Sequence, residues 1–199
     1  KNEFEYEVGE RSVTVSASKM NVFYIGVDNP VEVSAAGVPS AQIKVSMDGG
    51  NISRNGDGTY TVNVTSVGKA NVRVSAPGVN YSKEYRVKRI PDPTPLLGGK
   101  EKGGSIGNGT FKAHTAMIPM LLDFDFDARC NLAGFTLVRV AKRQDPEPAA
   151  NQGATITGNA KTLQAKAAPG DKYVFQDIKC KCPGDGAPRN LGQLVFDIQ

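Results

Sequence analysis

The 199-residue chain holds 39% apolar and 22% charged residues, a balance that excludes a disordered chain. No run approaches the roughly 18 apolar residues of a membrane-spanning helix. Net charge is +4, with 11 basic and 10 acidic groups in residues 1–92 and 13 and 10 in residues 93–199; without a basic stripe, nucleic-acid binding is not expected.

The length suits two domains of about 100 residues each. In the first, a strand is expected near Phe4 to Val8, followed by runs of period-2 alternation. Val13, Val15 and Ala17 alternate with Ser and Thr, and Asp28-Asn29-Pro30 breaks the chain before Val31, Val33 and Ala35. Ile43, Val45 and Met47 follow; Asn55-Gly56 and Asp57-Gly58 then supply hairpin chemistry ahead of Tyr60, Val62 and Val64. Ala70, Val72, Val74 and Ala76 form the next run, and Lys83 to Ile90 buries Tyr85 and Val87. About seven strands with one wet face each predict an all-β, Ig-like antiparallel sandwich over residues 1–92. Val15, Val33, Val45, Val62, Val72 and Val74 share the inward parity and should be buried.

Pro91, Pro93 and Pro95 then favour an extended strut, and six glycines between Gly98 and Gly109 release the backbone. Residues 93–109 read as a linker between two domains.

A second β-rich domain is expected over 110–199. Ile118, Met120, Leu122, Phe124 and Phe126 suggest an inward face, and Gly134 to Ala141 suggests a central strand. Asn159 is placed to cap one short helix near 159–168, with Ala160, Leu163 and Ala167 on one face and Pro169-Gly170 ending it. Strands over Tyr173 to Lys181 and Gln193 to Ile198 close the chain.

Asp123, Asp125 and Asp127 concentrate negative charge, yet a flat strand spaces them too widely to wrap a calcium ion. His114 has no evident orienting partner for acid–base work. The glycines around Lys100 lack phosphate-loop spacing. Four glycosylation sequons, at Asn51, Asn63, Asn80 and Asn108, are short enough to arise by chance in a Ser/Thr-rich chain. No catalytic residue, cofactor site or metal site is nominated. Cys130, Cys180 and Cys182 lack the ligand spacing of a zinc site; they leave open one disulfide with a spare thiol, or three small buried residues.

Two segments carry a family likeness. KMNVFYIGVDNPV (19–31) resembles the opening of an Ig-like domain of the GldM/PorM family of gliding and type IX secretion proteins. PGDKYVFQDIKCK (169–181) resembles a motif of that family's last domain; PDPTPLLGGK and DFDFDARCNLAGFTL fit the same order. The resemblance covers essentially the whole chain, with the three cysteines as departures.

The resemblance implies a non-enzymatic, dimeric periplasmic shaft that couples an inner-membrane, proton-driven motor to an outer-membrane-associated ring. Partners implied are a GldL/PorL-type motor protein and a GldK/PorK and GldN/PorN ring, with no nucleic acid and no small-molecule substrate. Because the chain opens on Lys1 without an initiator Met, it is expected to be a fragment, its membrane helix lying upstream. Arg139, Lys142 and Arg143 are the candidate polar rim toward the ring. In an oxidising periplasm Cys130 is expected to pair with Cys180, because each shares parity with apolar neighbours. The alternative reading is an Ig-like surface binding module, an adhesin or carbohydrate-binding domain, which should display aromatics for ligand stacking.

Overall fold

The computed structural model describes residues 13–17 and 21–199, with side chains from residue 21 onward. The expected strand at Phe4 to Val8 and the side chain of Val15 lie outside these. The chain divides between Arg89 and Ile90 into two compact units.

Unit 1 is a β-sandwich of two four-stranded sheets among the described residues. One sheet joins β1 (Val13–Ala17), β3 (Asn29–Ala35), β6 (Tyr60–Asn63) and β5 (Asn51–Arg54), in that order. The other joins β2 (Val22–Tyr24), β8 (Val79–Lys88), β7 (Gly68–Ala76) and β4 (Lys44–Asp48). All pairs are antiparallel except β2 with β8. The period-2 runs form strands because one parity enters the core: Val31, Val62, Ala70, Val72, Val74, Tyr85 and Val87 are buried, with Val33 and Val45 half-buried against them. The hairpin from β5 to β6 turns at Asn55, whose N–H donates to the Thr59 carbonyl, while Asp57 accepts from the Thr59 N–H and hydroxyl.

Asn29 does not act as the turn residue its neighbours suggest. It begins β3 and is buried, its amide donating to the carbonyls of Tyr24, Val27 and Val62 and accepting from the Tyr24 N–H at 2.7 Å. An asparagine inside is tolerated because both ends of its amide are satisfied.

Unit 2 is built on a sheet of β10 (Gly104–Ile106), β16 (Leu194–Ile198), β14 (Lys172–Lys181), β12 (Asn131–Val140) and β13 (Glu147–Gln152), with β15 (Arg189–Asn190) also paired to β14. A second, two-stranded sheet pairs β9 (Thr94–Leu97) with β11 (Met117–Met120). The expected short helix is α2 (Gly158–Ala165), which buries Ala160 and Leu163; Thr157 rather than Asn159 sits at its N-cap. A second helix, α1 (Asn108–Ala113), was not anticipated; its Phe111 enters an aromatic core with Tyr173, Phe175 and Phe196. Gln164 of α2 ties the two helices together, donating at 2.8 Å to the Phe111 and His114 carbonyls.

Residues 93–109 are therefore not a linker. They hold β9, β10 and the start of α1. Composition misled because each glycine-rich piece has a backbone partner: Gly98 N–H donates to the Ala116 carbonyl, Glu101 N–H to Leu97, and β10 runs parallel to β16. At Gly98, φ is +62° and an added Cβ would fall 2.0 Å from the His114 ring, so the turn needs glycine.

The run Ile118 to Leu122 is inverted relative to its expected facing, while Phe124 and Phe126 are half-buried opposite exposed Asp123, Asp125 and Asp127 as expected. Met117 is the residue that enters the core, leaving Ile118, Met120 and Leu122 exposed at 41%, 39% and 44%. The strand ends at Met120, and Asp123 adopts φ +56°, so the strand does not extend to Phe126.

Candidate functional site

Two places in unit 2 bring chemically interesting side chains together. The first surrounds Arg189 on β15. Its Nε and Nη2 donate to the two oxygens of Asp185 at 2.8 and 2.6 Å, and its Nη1 donates to Asp92 and to the Ile90 carbonyl. Asp185 is buried and also accepts from the Cys182 N–H at 2.9 Å. The hydrogen bond to Asp185, foremost, holds the Arg189 pKa above its ordinary value. A planar guanidinium suits this fork, engaging one carboxylate with two donors while a third nitrogen reaches elsewhere. The result fastens the first residues of unit 2 to its far sequence end. Arg189, Asp185 and Asp92 carried no sequence signal, since 97 residues separate Arg189 from Asp92.

The second place is the cysteine cluster. The disulfide joins Cys130 to Cys182, with Cα atoms 4.1 Å apart, and Cys180 is free and buried. The expected Cys130–Cys180 pair is thus corrected. Across β12 and β14, Asn131 faces Lys181 and Leu132 faces Cys180; the same register sets Cys130 opposite Cys182. Parity cannot separate residues 180 and 182, because they lie on one face; only register can. The three sulfurs lie within 4.8 Å of one another. Burial pushes the Cys180 thiol up to about 11.

The candidate rim divides. Arg139 is not a surface contact: its side chain is 13% exposed and donates to Asp171 at 2.8 Å and Glu147 at 3.3 Å. The Asp171 hydrogen bond chiefly raises its pKa. Lys166 reaches the other oxygen of Glu147, and that hydrogen bond chiefly lowers the Glu147 pKa. Lys142 and Arg143 are exposed in the turn between β12 and β13, with Arg143 at φ +60°.

His114 is half-buried behind Gly98, and its buried Nε2 has no hydrogen-bond partner among the described residues. Asp123, Asp125 and Asp127 are exposed in a segment outside any strand. For the binding-module reading, Tyr81 is the one exposed aromatic among the described residues. It borders a shallow groove with Ser46, Arg73, Ser75 and Asn80.

Comparison with known proteins bears on the whole chain. No curated protein matches it. Among solved structures, human protocadherin-24 EC1-2 is similar at 10% identity, covering 94% of this chain and 97% of that one, with a TM-score of 0.30. Titin domains A168–A170 match at 9% identity over 95% of this chain and 64% of that one, with a TM-score of 0.32. The family model described as the GldM third domain matches residues 12–88, and that of the GldM C-terminal domain matches residues 91–199. Those two matches follow each other along nearly the full length, in the order of the two units: the chain belongs to the GldM family, and is a component of the gliding and type IX secretion machinery.

Proposed function

We propose that the chain is a non-enzymatic periplasmic coupler, working as a homodimer that carries displacement from an inner-membrane motor toward the outer-membrane-associated ring. The observation that supports this most is the anchoring of residues 90–108 within unit 2. Arg189 holds Ile90 and Asp92, β9 pairs with β11, and β10 pairs with β16. A free hinge here would absorb displacement; a segment bonded along its length passes it on.

On this reading the GldL/PorL-type partner meets parts of the protein outside this chain, and the GldK/PorK and GldN/PorN ring meets unit 2. Lys142 and Arg143 form the polar rim that steers that encounter, since exposed rim charges act mainly on association rate. A stable dimer buries about 1,200–2,000 Å² or more.

The test inserts a flexible glycine–serine segment between Arg89 and Ile90, where the two units divide, in the full protein. Both units remain folded by circular dichroism and the protein assembles, while secretion or gliding falls. Full activity of an expressed, assembled variant rejects the coupler. Light scattering on the purified chain checks the dimer independently.

A further inference from the structure

We propose that reduction of the Cys130–Cys182 disulfide opens a site for one monovalent copper ion, bound by the thiolates of Cys130, Cys180 and Cys182. The sulfurs already lie within 4.8 Å of one another. A three-coordinate ion with metal–sulfur bonds of about 2.3 Å sets its ligands about 4 Å apart. Only the disulfide pair must move apart appreciably to reach that triangle, a matter of side-chain rotation. The backbone is held by the antiparallel register of β12 and β14 and by β15 on the other side of Cys180.

The donor set selects the ion. Among the described residues the cluster is all sulfur, with neither histidine nor carboxylate in it. Asp185, the nearby acid, has both oxygens engaged by Arg189. Structural zinc takes four ligands, whereas three soft thiolates suit monovalent copper. Cys180 and Cys182 are buried, which shields the ion from water.

The chemistry balances. A dithiol reductant gives two electrons and two protons to the Cys130–Cys182 bond and becomes a disulfide itself. Each of the three protein thiols then releases its proton to water as it binds copper, whose oxidation state does not change.

The test uses the 199-residue chain, reduced and freed of reductant without oxygen, then titrated with monovalent copper against a chromogenic chelator. One equivalent should bind per chain, with the visible luminescence of a water-shielded copper thiolate. Cys180→Ser leaves the disulfide able to form on oxidation, seen by mass spectrometry, but should weaken copper binding by more than about tenfold and quench the luminescence. Uptake unaffected by Cys180→Ser overturns the site, as does no uptake. Loss of the β-sheet circular dichroism on reduction overturns it too, because the fold must hold the three sulfurs together.

Discussion

Arg189 donates to two carboxylates and one carbonyl, so its removal takes away the cation that engages both oxygens of the buried Asp185. Arg189→Met should destabilise unit 2 by about 3–5 kcal/mol, the usual cost of breaking a buried pair from one side. Urea denaturation reads this as a lower midpoint for unit 2 with unit 1 unchanged; an unaltered midpoint refutes the clamp. Gly98 offers a second test. Its φ of +62° and the His114 ring both oppose a side chain, so Gly98→Ala should cost about 1–3 kcal/mol. Adding His114→Ala should recover the steric part but not the backbone part, which a double-mutant cycle separates. Neither residue announced its role in the sequence. The clamp joins Asp185, four positions away, to Ile90 and Asp92, 99 and 97 positions away, and the glycine sat in a stretch whose composition signified looseness.

Strands were readable where one face is wet and the other dry, as in β7, where Ala70, Val72 and Val74 are buried in alternation. Val72→Asp puts a charge at a fully buried position and should abolish the unit 1 transition while sparing that of unit 2. The reading failed where alternation is interrupted. In β14, Tyr173 and Phe175 point inward, yet so do Ile178 and Cys180, because the ladder shifts near Asp177 at φ +52°. A matching irregularity lies between Leu132 and Thr136 on β12, so the two strands are back in step at the cysteines. Nothing local in the sequence marks such a shift, which changes which side chains of β14 face inward but leaves Cys130 opposite Cys182. Beyond the other end of β14, the Arg139, Asp171, Glu147 and Lys166 network predicts a pH response. The folded-state pKa of Glu147 is lowered from an ordinary value near 4.5. Its contribution is then present above the unfolded value and is lost as pH falls through the folded one. Urea midpoints of unit 2 should fall with acidification below about pH 5, and Glu147→Gln should flatten part of that slope.

The whole chain should unfold in two steps, since its units have separate cores. The disulfide lies within unit 2 and spans 52 residues, a loop whose closure is worth about 4 kcal/mol on the chain-entropy view. Reduction should therefore lower one calorimetric transition and leave the other in place; a shift in both would mean that the units are energetically joined. Patterning put the end of the first β unit at residue 92, and the units divide between Arg89 and Ile90; composition hid that the glycine-rich segment belongs to the second unit. That segment has a consequence for survival among proteases. Cleaving enzymes take their substrates as extended strands with free backbone groups, and 98–108 has most of its own committed to Ala116, Leu97, β16 and Gln199. Digestion there must wait for unit 2 to open, so the rate of nicking follows that unit's stability rather than the abundance of glycine.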